Sequence, residues 1–175
     1  MIAVDTNVLV HAHRGESRHY RAAYSCLANL CENTEAWAIP WPCIHEFLSI
    51  ATNTWAFARA SSPAEALRQV DVWLESPGLV LLEETVRHWS ILLNLVRSSR
   101  ATGGRIHDAR IAAICLEHGV RELWTADRDF ARFPELATFN PLTDDQVHET
   151  PAGYAAVLRA RTAGRRRALT GISAR

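Results

Sequence analysis

The sequence contains no lysine, so each of its 19 fixed positive side chains is an arginine. Guanidinium groups are planar and favour phosphate and carboxylate partners. No apolar run approaches the 18 residues of a membrane-spanning helix, and the first residues lack the basic and then apolar pattern of a secretory signal. The four cysteines form no C-x-x-C pair. We therefore expect a reduced, cytoplasmic protein with no membrane partner.

Glycine and proline are also scarce, with 8 and 7 among 175 residues, which excludes collagenous and low-complexity chains. The length and the 48% hydrophobic content suit one domain with a sizeable core. The formal net charge of zero argues by itself against a general nucleic-acid binder. However, residues 1–150 hold 13 arginines and all 19 acidic residues, a net charge of −6, whereas residues 151–175 carry +6. The charge pattern therefore predicts an acidic body with a basic appendage.

Short apolar runs alternate with amphipathic segments along the first 140 residues. Strands are predicted at 2–4, 37–39, 79–82, 122–125 and 138–140, and helices at 18–31, 42–52, 63–75, 84–100 and 107–118. This alternation predicts an α/β fold with a parallel sheet and right-handed crossovers. Residues beyond about 142 are rich in alanine and arginine, and we interpret them as an extension and not as a second domain.

Several carboxylates follow the predicted strands. Asp5 comes directly after the first strand, Asp127 and Asp129 follow the fourth, and Asp108 lies at the start of the helix before the fourth. Ligands of a parallel sheet bind at the carboxyl ends of its strands, so these acids are expected at one edge. Clustered carboxylates raise one another's pKa unless a hard cation joins them, and Mg²⁺ and Mn²⁺ prefer oxygen ligands. The pattern predicts a divalent metal site.

Each acid also has a simpler interpretation when it is taken alone. Asp5, Asp108 and Asp127 all suit the N-cap of a helix. Glu46 lies among apolar residues of its predicted helix with no arginine within one turn, and a salt bridge to a distant arginine would explain it. Convergence of three or four acids on one edge, with little cationic charge expected nearby, favours the metal site over separate caps.

Four short segments resemble the PIN domain, and specifically the VapC-type toxin ribonucleases. They are Val4–Leu9, His45–Phe47, Ile106–Ala113 and Thr125–Phe130. The segments occur in the family's order, and the resemblance spans residues 1 to about 142. It implies a three-layer PIN-like fold, with a central parallel sheet of about four or five strands flanked by helices. It also implies a nuclease domain at 1–142, followed by an Arg-rich C-terminal extension at 143–175.

The resemblance further implies an activity and a set of site residues. The activity is that of a metal-dependent endoribonuclease acting as the toxin of a VapBC-like pair, with an RNA substrate, a cognate antitoxin and a homodimeric state. The implied catalytic residues are Asp5, Glu46, Asp108 and Asp127; of these, Asp5, Asp108 and Asp127 would hold Mg²⁺ or Mn²⁺, supported by Asn7, Thr125 and Asp129. His45 departs from the family pattern, which commonly has a small serine or threonine before the glutamate.

Two other functions remain open. A non-catalytic PIN-like RNA-binding scaffold would usually have lost one acid, and none is missing here. A Mg²⁺-dependent phosphatase of the haloacid dehalogenase kind needs a second aspartate two residues after the first, where this chain has Asn7. In the extension, Arg165, Arg166 and Arg167 either contact RNA phosphates or belong to a solvated terminus.

The six tryptophans divide by their positions in the predicted elements. Trp37, Trp73, Trp89 and Trp124 lie on helical stripes or strands and are expected in the core. Trp41 and Trp55 bracket the helix of Glu46, where they could stack on bases or contact a partner.

Overall fold

The computed structural model describes residues 1–143, which form a five-stranded sheet flanked by helices. The strands are β1 (Ile2–Val4), β2 (Trp37–Pro40), β3 (Leu79–Leu82), β4 (Glu122–Trp124) and β5 (Thr138–Phe139). All neighbouring strands pair in parallel, in the order β3-β2-β1-β4-β5. The predicted α/β class is therefore confirmed. Residues 165–167, predicted as RNA contacts, lie outside the described residues.

Within residues 1–143, six helices and one short 3₁₀ turn connect the strands. They are α1 (Thr6–His13), α2 (Tyr20–Glu32), α3 (Trp41–Ala51), α4 (Pro63–Leu74), α5 (His88–Ser99), α6 (Arg105–Glu117) and the 3₁₀ turn Arg128–Arg132. The sequence explains several of their ends. Ser62 and Glu65 form a capping box at the start of α4. Gly119 has a φ of +62° just after α6, a conformation that glycine adopts without steric cost.

Two helices differ from the sequence-based expectation. Helix α1 was not predicted, because its apolar residues Val8, Leu9 and Val10 are consecutive and show no helical spacing. Helix α5 begins at His88 and not at residue 84. The backbone N–H of Thr85 instead donates to the carboxylate of Glu117, which holds the preceding segment as a turn.

The core lies on both faces of the central strands. Trp37 and Trp73 are buried as expected, and so are Ala38 and Ile39 of β2. The expectation was wrong for Trp89, whose side chain is 70% exposed. Its neighbour His88 is buried in its place, because His88 pairs with a buried carboxylate. The cysteines at 26, 31, 43 and 115 are all free, and no helix within residues 1–143 is long and apolar enough to cross a membrane.

Candidate active site

The sheet order brings two of the predicted acids to the same edge. Strands β1 and β4 are neighbours, and the backbone N–H of Asp5 continues their pairing by donating to the carbonyl of Trp124 at 3.0 Å. Asp127 follows three residues after Trp124 and caps the 3₁₀ turn. Asp108 lies in the first turn of α6, the helix that leads into β4. The acids therefore come from the ends of three different elements.

Asp5 is a buried carboxylate, 4% exposed, surrounded by donors. Its Oδ1 accepts from the backbone N–H of Thr6 at 2.8 Å and lies 3.8 Å from the Sγ of Cys43. Its Oδ2 accepts from the hydroxyl of Thr125 at 2.7 Å and from the side-chain amide of Asn7. Asp5 is also the N-cap of α1. Asp5 is thus both a helix cap and a member of the candidate site, so these two interpretations of Asp5 do not exclude each other.

The charge of Asp5 is costly despite these donors. Burial raises its pKa to about 6, against the opposing effect of the hydrogen bonds from Thr125 and Thr6. The nearby carboxylates of Glu46 and Asp127 raise the pKa further. No arginine or histidine in residues 1–143 forms an ion pair with Asp5. Its ionised form therefore lacks a counter-charge.

Asn7 and Thr125, predicted as supports, join the ends of β1 and β4. The amide of Asn7 donates to the hydroxyl of Thr125 at 2.9 Å, and its oxygen accepts from the backbone N–H of Ala126 at 3.0 Å. The Thr125 hydroxyl also accepts from the backbone N–H of Asp127 at 3.0 Å. The two bonds of Asn7 connect residues more than a hundred positions apart, and the three bonds together hold Asp5 beside the turn that carries Asp127.

Glu46 reaches the site from α3 on the other side of β1. Its Oε2 accepts from the hydroxyl of Thr6 at 2.6 Å. The apolar surroundings expected for Glu46 are wrong, because Cys43 and Phe47 turn inward while Glu46 is exposed. The expected alternative, a salt bridge to a distant arginine, is also absent for Glu46 within residues 1–143.

Asp108 is half-buried at the start of α6. Burial raises its pKa to about 6, and the carboxylates of Asp127, Asp129 and Glu46 add to the rise, while His107 opposes it. Ionisation of Asp108 and of Asp5 is thus disfavoured, and the carboxylates of Asp127 and Glu46 raise the pKa of both. The four predicted catalytic acids therefore lie close enough to interact electrostatically.

Asp129 differs from the other acids because arginines neutralise it. The Nε of Arg105 lies 3.4 Å from its Oδ2, and the Nε of Arg132 lies 3.4 Å from its Oδ1. The hydrogen bond from Arg132, joined by Arg105, holds the pKa of Asp129 below its usual value. The expectation of little cationic charge near the acids is therefore wrong. Arg132 lies three residues after Asp129 in the same 3₁₀ turn, whereas Arg105 comes from the start of α6, 24 residues away, a contact that local spacing does not reveal.

The other flank of the site carries aromatic rings. Trp41, at the start of α3, stacks on His45 one turn later, with ring centroids 5.8 Å apart and planes 29° apart. Both side chains are exposed. His45, the departure from the family pattern, therefore lies against Trp41 and not against Glu46.

The carboxylates of the site fit a hard divalent cation in their chemistry, although their present spacing does not form a complete set of metal ligands. Within the described part of the chain, no three aspartate, glutamate, histidine or cysteine side chains are arranged to hold an ion as they stand. Asp5, Asp108 and Asp127 offer only carboxylate oxygens, which Mg²⁺ and Mn²⁺ prefer. A bound cation would offset the repulsion that adds to the effect of burial in raising the pKa values of Asp5 and Asp108.

Comparison with known proteins agrees with the fold. The PIN domain family model matches residues 2–136. VapC ribonuclease Mb2897 of Mycobacterium bovis is 36% identical over 148 residues, covering 85% of this chain and 99% of that relative. Ribonuclease VapC37 of Mycobacterium tuberculosis is 31% identical, covering 76% and 92% of the two chains.

Solved structures share the architecture at lower identity. The structure of VapBC2 from Rickettsia felis, bound to a DNA fragment from its promoter, has a TM-score of 0.58 at 20% identity, covering 80% of this chain and 98% of that one. VapC20 of Mycobacterium tuberculosis, a Sarcin-Ricin loop cleaving toxin, has a TM-score of 0.57 at 14% identity, covering 75% and 93%. From the family model over residues 2–136 and relatives above 30% identity along most of their length, we conclude that this chain belongs to the PIN domain family.

Proposed function

We propose that this protein is a metal-dependent endoribonuclease that hydrolyses RNA phosphodiester bonds as the toxin of a VapBC-like toxin–antitoxin pair. The observation that carries the proposal is the group of uncompensated acids at one sheet edge, with the pKa of Asp5 and of Asp108 each raised to about 6. Perturbed carboxylates of this kind concentrate at functional sites. The ribonuclease names of the relatives supply the reaction class.

The proposed cofactor is Mg²⁺ or Mn²⁺, held by Asp5, Asp108 and Asp127. The chemistry that such an ion supplies is a lowered pKa for water and neutralised charge on the phosphate and the leaving oxygen. Asn7 and Thr125 keep Asp5 oriented through their hydrogen bonds.

Glu46 has a different proposed role from the three aspartates. Its exposure and the hydrogen bond from the Thr6 hydroxyl support a role in accepting a proton from water that attacks phosphorus. No covalent nucleophile is required, since water is the attacking group in this scheme.

The proposed organisation and partners follow the relatives. We assign residues 1–142 to the nuclease domain and residues 143–175 to an Arg-rich extension, in which residues 165–167 contact RNA phosphates. The solved structures with this fold include VapBC2 from Rickettsia felis and VapBC from Salmonella typhimurium, both bound to DNA. We propose a cognate antitoxin and a homodimer for this chain, in a cytoplasmic setting.

The test is cleavage of a mixed RNA pool by the purified full chain. We expect cleavage with Mg²⁺ or Mn²⁺, and its loss with EDTA and in the Asp5→Asn variant. Asp71→Asn, at an exposed position on α4, is the matched control and should cleave like the wild type. Cleavage that survives both EDTA and Asp5→Asn would contradict the metal–carboxylate mechanism. RNA binding by the wild type without cleavage in any metal would favour the scaffold function instead.

A further inference from the structure

We propose that Arg105 and Arg132, held together by Asp129, form a binding site for a phosphate of the RNA backbone beside the catalytic acids. The inference rests on the proposed ribonuclease function and names how the substrate is held. It also gives Asp129 a role separate from metal binding.

The geometry places the arginine pair next to the acids. Arg105 is the first residue of α6 and Asp108 is the fourth, and residues three apart lie on the same side of a helix. Arg132 ends the 3₁₀ turn that Asp127 caps. The backbone N–H of Asp129 donates to the carboxylate of Asp127 at 2.8 Å, so Asp129 is tied directly to one of the proposed ligands.

The charge of this group is suited to a phosphate. Two guanidinium groups share one carboxylate, which leaves a net charge of +1. Their side chains are 45% and 43% exposed, and Asp129 is the only carboxylate in residues 1–143 that either one pairs with. Each contact to Asp129 is made through the Nε, and the terminal nitrogens of each guanidinium supply further N–H donors. Such donors match the non-bridging oxygens of a phosphate.

A cationic anchor is needed at this position because the rest of the edge is acidic. RNA is a polyanion and would be repelled by the carboxylates of Asp5, Glu46, Asp108 and Asp127. An arginine pair on the β4 side attracts a backbone phosphate that flanks the bond to be cut. Asp129 allows the two like-charged groups to lie together, since without it they would repel each other.

A purely structural role makes a different prediction. Exposed ion pairs contribute little to stability, and these two could simply join the 3₁₀ turn to α6. In that case the arginines would not affect RNA binding, and removal of the negative charge of Asp129 would strengthen the attraction of RNA.

The test measures RNA binding as a function of salt. The full chain with Asp5→Asn binds a labelled single-stranded RNA in Mg²⁺ without cutting it, and anisotropy gives Kd at several salt concentrations. We expect Arg105→Gln and Arg132→Gln each to make the negative slope of log K against log salt less steep by about 0.7. This corresponds to RNA binding that is about fivefold weaker at 0.1 M salt. Arg68→Gln, at an exposed position on α4, is the matched control and should leave the slope unchanged.

Asp129→Asn separates the two roles most sharply. Our inference expects weaker RNA binding in this variant, because the arginines lose the group that holds them together. Unchanged slopes in both arginine variants, or tighter binding by Asp129→Asn, would overturn the inference. Thermal unfolding of each variant confirms that it is folded at the assay temperature.

The cleavage assay keeps this inference distinct from the proposed function. If the wild type cleaves RNA and the arginine variants bind RNA with unchanged slopes, the phosphate site is wrong and the nuclease assignment stands. If the wild type cleaves no RNA, the nuclease assignment fails, while the salt slopes still report whether the pair binds phosphate.

Discussion

Helix α6 carries one carboxylate near each end, and the surroundings of the two shift their pKa values in opposite directions. Asp108 lies in the first turn, at the site, and Glu117 is the last residue. Burial raises the pKa of Asp108 to about 6, and its acidic neighbours raise it further. Burial also raises the pKa of Glu117, but hydrogen bonds from Thr85 and His88 outweigh this effect and leave the pKa below its usual value.

The difference lies in the partners and not in the helix. Glu117 accepts from the backbone N–H of Thr85 at 2.8 Å and contacts the ring Nδ1 of His88. Asp108 instead faces Asp127, Asp129 and Glu46. A carboxylate with matched donors stabilises the fold, whereas one among like charges costs stability, and that cost points to a function. Substitutions at the two ends should therefore have opposite effects.

Replacement of Asp108 should have the largest effect on activity. We expect Asp108→Asn to lower the rate of RNA cleavage by more than about a hundredfold, because loss of a direct metal ligand should exceed the loss from its supporting residues. The same variant should unfold at a higher temperature than the wild type in EDTA at pH 8, since a repelled charge is removed. A variant that loses both activity and stability would remove the contrast between the two ends of α6.

Replacement of Glu117 should have the largest effect on stability. We expect Glu117→Ala to lower the free energy of unfolding by about 3 kcal/mol, because buried His88 and the Thr85 N–H lose their acceptor. Urea denaturation gives the change, and RNA cleavage measured below the unfolding transition should remain near the wild-type rate. A midpoint equal to that of the wild type would show that Glu117 is not a structural carboxylate.

The stability of the metal-free protein should depend on pH in a direction set by the site. A carboxyl group whose pKa is raised to about 6 on folding binds its proton more tightly in the folded state than in the unfolded state. The contribution of Asp5 and Asp108 to stability is therefore largest below pH 4, falls as the pH rises towards 6, and stays low above it.

In Asp108→Asn, the loss of unfolding free energy between pH 4 and pH 6 should be smaller by roughly 1 kcal/mol, after allowance for the partial exposure of Asp108. Urea midpoints from pH 4.5 to 7.5 in EDTA measure the effect, with Asp71→Asn as the control. Glu117 contributes with the opposite sign, since its pKa is lowered and its stabilisation is lost as the pH falls. A fall that is equally steep in Asp108→Asn and the wild type would contradict the raised pKa of Asp108.

The smallest effect is expected from an exposed ion pair that joins α6 to the segment before α5. Arg110 of α6 contacts Glu84 at 2.6 Å, and both side chains are more than 40% exposed. We expect Arg110→Gln to change the free energy of unfolding by less than about 1 kcal/mol, because solvent screens the pair. Urea denaturation of Arg110→Gln and Glu117→Ala side by side measures the difference. If Arg110→Gln lost as much unfolding free energy as Glu117→Ala, solvent exposure would not distinguish the two kinds of ion pair.

Local patterns in the sequence were sufficient for most of the fold. Local patterns identified the five strands of residues 1–143 within a residue or two. Apolar patterns are uninterrupted in β1 and β2, because central strands covered on both faces need no polar alternation, but include the polar residues Glu122 in β4 and Thr138 in β5. They failed at α1, whose consecutive apolar residues resemble a strand or a loop, and at Trp89, where a neighbouring histidine occupies the buried place. At Trp89 a contact with a distant segment, the pairing of His88 with Glu117, outweighs the local pattern.

The sequence by itself determined that Asp5 and Asp127 lie at the same edge, because parallel strands deliver the residues that follow them to one edge. Only the tertiary structure decided what each carboxylate does there. The partner of Glu46 is a threonine 40 residues away, and the hydroxyl that binds Asp5 lies 120 residues away. Arg105, which neutralises Asp129 together with the neighbouring Arg132, comes from α6, 24 residues away. Charge interactions depend on distance and on exclusion of water, and both are set by the packing of distant segments.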